Sequence, residues 1–128
     1  MKEEVSLAIE ELKRQFDGAT FTISEDGQGG ARIIMEPISI GNRYTPTSTW
    51  LGFQIPAQYP YADIYPVFMG ADVVRVDGVA FAAPVTNGHN FEGRPAIQIS
   101  RRNPVADKGS QKATAKILKV VDFIEQLV

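Results

Sequence analysis

Trp50-Leu51-Gly52-Phe53-Gln54-Ile55-Pro56-Ala57-Gln58-Tyr59-Pro60 is the stretch on which the fold turns. Its first six residues read as a strongly apolar strand, and Pro56 ends that strand because it cannot donate to a ladder. From Pro56 to Pro66 the chain is aromatic and proline-rich, and its Tyr59-Pro60-Tyr61 and Tyr65-Pro66 junctions indicate an ordered, extended loop. Tyr59, Tyr61 and Tyr65 are expected to pack that loop onto the sheet, with an aromatic contact surface as the other reading. Pro66-Val67-Phe68-Met69 opens a further strand.

Moving outward toward the N-terminus, Val5, Ala8, Ile9, Leu12 and Phe16 recur at helical spacing, with Glu and Lys between them. Glu10 and Arg14 form an i,i+4 pair of favourable orientation, and Asp17-Gly18 is expected to close the helix. Thr20-Phe21-Thr22-Ile23 then alternates as a strand. Asp26-Gly27-Gln28-Gly29-Gly30 is a turn, and Ala31 to Ile40 is a second strand broken by Pro37. The glycine-rich turn has no Lys-Ser/Thr after it, so it is not a phosphate loop.

Toward the C-terminus, Val73-Val74-Arg75-Val76 and Val79-Ala80-Phe81 flank Asp77-Gly78, a two-residue hairpin signal. Pro84 to Gly109 reads as an irregular segment interrupted by one apolar stretch, Ala96-Ile97-Gln98-Ile99, with Asn87-Gly88 as a turn. Ser110 is a candidate N-cap for a last helix lined by Ala113, Ile117, Val120, Val121, Ile124 and Leu127. The expected architecture is α+β: an N-terminal helix, a four-stranded antiparallel meander, an irregular segment and a C-terminal helix. One domain spans 1–128.

Composition removes much chemistry. The chain has 128 residues, no cysteine and one histidine, His89. Without cysteine there is no disulfide scaffold, thiolate metal site or thiol nucleophile. A single histidine argues against a histidine metal cluster or a serine–histidine triad, and no metal or other cofactor is expected. Asp72 and Asp77 read as turn acids rather than ligands. No apolar run approaches the ~20 residues that span a bilayer, and the charged start at Met1-Lys2-Glu3-Glu4 does not suit a secretory signal, so a soluble cytoplasmic protein is expected.

The strand and proline loop at residues 50–69 resemble the core of ubiquitin-conjugating enzymes. In that family a strand ends in an apolar residue and Pro, and Tyr-Pro follows two residues later; Ile55-Pro56-Ala57-Gln58-Tyr59-Pro60 fits this. The family also places His-Pro-Asn shortly before Gly-x-x-Cys. Here His89-Asn90 precede Gly93-Arg94-Pro95-Ala96, and Ile97-Gln98-Ile99 follows as the next strand. The resemblance covers nearly the whole chain in element order and is sharp over residues 50–69 and 87–99. The insertion around Val73 to Phe81 is similar to divergent bacterial branches of the superfamily.

The resemblance sets Ala96 at the thioester cysteine and His89 and Asn90 at the supporting motif. Alanine has no lone pair, so this chain cannot carry a thioester, and His89 and Asn90 are expected to hold the loop. The resemblance therefore implies a non-catalytic binding or scaffold protein of a prokaryotic ubiquitin-like modification pathway. Its protein partner would be a ubiquitin-like modifier, an activating enzyme or an active conjugating enzyme. Two alternatives remain: hydroxyl chemistry with Ser100 as acceptor and His89 or Asn90 assisting, or a plain interaction and oligomerisation module.

Net charge is −2, unevenly placed. Arg94, Arg101, Arg102, Lys108, Lys112, Lys116 and Lys119 gather in one segment whose only acid is Asp107, on an otherwise acidic chain. Six of them, Arg101 to Lys119, form a candidate partner-binding surface, with Lys112, Lys116 and Lys119 on one helical stripe. Nucleic acid is not expected, since the aromatics do not interleave with these cations.

Overall fold

The structure, a computed structural model, describes residues 1–101 and 112–127. A helix, α1 (Glu3–Gln15), leads into strands β1 (Thr20–Glu25), β2 (Ala31–Ser39), β3 (Tyr44–Thr45), β4 (Ser48–Ile55), β5 (Val67–Gly70), β6 (Val74–Arg75), β7 (Val85–Phe91) and β8 (Arg94–Ile99), and α2 (Ala113–Glu125) follows. Six strands form one sheet in the order β1-β2-β4-β5-β8-β7, antiparallel throughout, and β3 pairs with β6 in a separate ribbon.

The α+β class and both helices are as expected; the sheet is larger. The meander continues past four strands because the first part of the segment read as irregular, residues 85–99, is the β7–β8 hairpin; residues 102–109 of that segment lie outside the described residues. The two-residue connection of the hairpin is Glu92-Gly93, at φ 50° and 78°, and positive φ at both central residues is what a type I′ turn demands. Asn87-Gly88, the stronger turn signal, instead lies in a register shift inside β7 between Thr86 and His89. Asp77-Gly78 does form a tight turn, with the Gly78 N–H donating to the Arg75 carbonyl, yet its flanks do not pair with each other. Val74-Arg75 pairs with Tyr44-Thr45 instead. The Asp77 carboxylate holds the turn by accepting from the Arg75 guanidinium and the Val79 N–H.

Pro37 does not end β2. The ladder with β4 steps over it, shifting register between Met35 and Ile38, which spares the missing N–H. Gly18 is not left-handed; α1 closes with the Phe16 N–H on Leu12 and the Ala19 N–H on Phe16. Lys13, rather than Arg14, approaches Glu10, at 3.8 Å. The Asp26-to-Gly30 turn forms as expected: Asp26 Oδ1 accepts the N–H groups of Gln28 and Gly30, and its other oxygen accepts from Gln54 Nε2.

Strand alternation sorts residues onto two faces. On one, Ile33, Met35, Leu51, Phe53, Met69 and Ile97 form the main core with Val5, Ile9 and Leu12 of α1 and Ile117, Val120 and Ile124 of α2. Both helices thus cover the same side. The opposite face carries a separate small cluster of Ile34, Phe91 and Ala96, flanked by Trp50 and Phe68.

Candidate functional site

Ala96 sits inside β8, opposite Gly70 on one side and His89 on the other. It is 1% exposed and belongs to the small cluster on the second face. The position that the resemblance gives to a thioester cysteine is therefore a packing position in a strand, under aromatic rings.

Those rings are placed by glycines. The Phe91 ring lies where a side chain at position 52 would be: a Cβ built on Gly52 meets it at 2.6 Å. Phe91 stacks on Phe68 at 5.0 Å and on Trp50 at 6.3 Å between centroids. At the hairpin tip, Arg94 forms an ion pair with Glu36 at 2.9 Å and lies over the Trp50 ring, 5.4 Å from its centroid. Arg32 reaches Glu92 at 3.4 Å. Both carboxylate–guanidinium contacts join the tip to β2, so the hairpin end folds over this face and seals it. Beside Trp50 a hollow of about 290 Å³ remains, lined by Glu36, Pro37, Ser48, Thr49 and Asp72.

Two other residues of the expected site, His89 and Ser100, are held in structural bonds. His89 Nε2 is 2.9 Å from Thr86 Oγ1, and the imidazole tilts against Phe68. Asn90 is exposed on β7. The Ser100 hydroxyl accepts a hydrogen bond from Gln98 Nε2 at 2.6 Å, and its N–H donates to the Pro84 carbonyl. Since His89 faces Ala96, four residues back along β8, the imidazole and the Ser100 hydroxyl are separated by roughly 13 Å of strand. That is far beyond the reach of a general base. The structure brings His89 to Ala96 and leaves Ser100 apart from both.

The basic segment divides. Arg102 and Lys108 lie outside the described residues, as does Ser110. Lys112 and Lys119 are exposed, and the Arg101 guanidinium lies 4.7 Å from the Phe123 ring centroid. Lys116 departs from the expected stripe. Its ammonium is buried against Asp63, 3.1 Å from Oδ1, and donates to the Arg101 carbonyl at 2.7 Å; the Lys116 and Asp63 side chains are 4% and 3% exposed.

This buried pair was missed from the sequence, although a signal existed. Lys116 stands three residues after Ala113 and four before Val120, on the apolar stripe itself, so its charge had to find a partner inside. The partner comes from the proline loop. Tyr59 does the same a turn earlier: its hydroxyl accepts the Ala113 N–H and caps α2, while burial raises its pKa above the usual tyrosine value. Tyr59 thus packs the loop as expected, whereas Tyr61 and Tyr65 are exposed.

Among the described residues no group of His, Asp and Glu side chains is arranged to hold a metal ion, and no helix is long and apolar enough to cross a membrane. No protein-family model, curated protein or solved structure matches the chain.

Proposed function

We propose that the chain is a non-catalytic binding or scaffold protein with a ubiquitin-conjugating-like architecture, cytoplasmic, and working in a prokaryotic ubiquitin-like modification pathway. The observation that carries this reading is the environment of Ala96. A methyl group buried in a cluster with Ile34 and Phe91 serves packing, and the neighbouring polar groups are engaged: His89 with Thr86, Ser100 with Gln98. The pathway itself rests on the resemblance over residues 50–69 and 87–99. The hydroxyl-acceptor alternative loses its named base, since His89 lies opposite Ala96, four residues from Ser100 along β8.

The partner would be a ubiquitin-like modifier, an activating enzyme or an active conjugating enzyme. The exposed cations Arg101, Lys112 and Lys119 would contribute attraction to an acidic surface, screened by salt, and Lys116 would not take part. Titration of the purified chain against the modifier and activating enzyme encoded beside its gene tests this. Binding that weakens in Lys112→Glu and Lys119→Glu supports the reading. Absence of binding to any such protein contradicts it.

A further inference from the structure

The two margins of the main sheet differ in how they are protected. At one, β7 carries a register shift and Gly88 at φ 85°, which break the row of backbone groups. At the other, β1 pairs with β2 residue for residue from Thr20 to Glu25 without a shift. It contains no proline, lysine or arginine. Among the described residues no backbone hydrogen bond reaches its outer side. A regular, unguarded edge of this kind is a template for another strand.

We propose that β1 is the pairing edge of a symmetric dimer, in which the β1 strands of two copies of this chain join antiparallel about a two-fold axis through Thr22. This goes beyond the functional reading above and does not depend on it.

The sequence of β1 is self-complementary in that register. Phe21 and Ile23 face the helix side, where they are half-buried against the core, and Thr20, Thr22 and Ser24 face the other side. Joining two copies with both helix layers on one side requires residues of equal parity to face each other, so the axis must pass through a residue. Centred on Thr22, Phe21 of each copy lies opposite Ile23 of the other, an aromatic and β-branched pair that buries the exposed flank of both. Thr20 then faces Ser24. The single charge in β1, Glu25, falls opposite Ala19 and is already engaged by the Met1 amine at 2.8 Å. Centring on Phe21 would set Asp17 against Glu25, and centring on Ile23 would set Phe21 against Glu25. A second copy therefore fits this edge in one register.

The absence of cysteine supplies the test, because a single introduced thiol has no competitor. Light scattering after size exclusion should give twice the chain mass. In Thr22→Cys the two thiols would face each other across the axis, at a Cα separation of about 4.5–5.5 Å, which a disulfide spans. In Ser24→Cys they would be roughly 13 Å apart, which it cannot. Asn87→Cys, on the guarded margin, sets the background of random collisions. Under mild oxidation Thr22→Cys should cross-link roughly a hundredfold faster than Asn87→Cys, and Ser24→Cys should stay at background. A wild-type monomer at all concentrations overturns the proposal. So does a dimer in which Ser24→Cys cross-links as fast as Thr22→Cys, or in which neither exceeds background.

Discussion

On the helix side of the sheet, Ile33, Met35, Phe53 and Met69 are sealed by two thirteen-residue helices, and the buried ammonium of Lys116 has a buried carboxylate, Asp63, for a partner. On the other side, Ile34 and Ala96 are covered by the tip of a hairpin: Phe91 against Gly52, with the tip held by contacts between half-exposed ions. The first face is a core, closed by many apolar contacts. The second is a small aromatic patch closed by a few side chains. The difference locates the stability of the fold on the helix side and leaves Ala96 and the hairpin that carries His89 to the second face.

The largest expected effect lies on the helix side. Lys116→Ala leaves Asp63 buried without its cation, and unfolding in denaturant should show a loss of about 3–5 kcal/mol. Replacing both partners by apolar residues, Lys116→Met with Asp63→Leu, should restore much of it. If the single substitution cost no more than a surface lysine, the pair would not be closing the loop onto α2.

Matched truncations sharpen the contrast between the faces. Phe53→Ala opens a cavity with no route for collapse and should cost about 3–5 kcal/mol, whereas Phe91→Ala removes a ring whose neighbours are half-exposed and should cost about 1–3 kcal/mol. Equal costs would mean that the second face is as closed as the first.

Smaller still is Arg94→Ala, which removes an ion pair and a cation–π contact that are both solvent-accessible; about 1 kcal/mol is expected, diminishing in high salt. The tip should loosen without unfolding the domain, visible as faster amide exchange at Phe91 and Glu92.

The smallest effect concerns the Asp26 turn, far from both clusters. The N–H of Gln28 holds the Asp26 carboxyl below its ordinary value, helped by Gln54 and Gly30 and opposed by desolvation. A depressed carboxylate contributes stability above its unfolded pKa and loses that contribution as pH falls through the folded pKa. Asp26→Asn should therefore lower stability slightly near neutrality and converge with the wild type below about pH 4, so that its acid limb is flatter. An unaltered acid limb would place the titrating group elsewhere.

Much of this contrast was legible in the sequence. The periods of Val5 to Phe16 and Ala113 to Ile124 announced two helices, and the run at Trp50 to Ile55 announced a central strand, because burial on one side imposes those spacings. The hairpin was hidden because Glu92 is not a residue usually met at positive φ, while Asn87-Gly88 and Asp77-Gly78 gave the expected hairpin signals at places where the pairing partners lie elsewhere. Lys116 was read as surface because it was grouped with Lys112 and Lys119 by charge rather than with Ala113 and Val120 by position. Position 96 drew notice only through the resemblance, which sets an expected thiol there. Its burial in a cluster with Phe91 was not legible, since that cluster depends on a hairpin tip folding back over Gly52.

Ala96→Cys puts a thiol at the position in question and measures whether the site is closed. In the native protein a chromogenic thiol reagent should react roughly a hundredfold more slowly than with the unfolded chain, because attack must wait for the hairpin tip to open. A thiol at that position reacting at the unfolded rate would show an open, chemically accessible site and contradict the packing role assigned to Ala96.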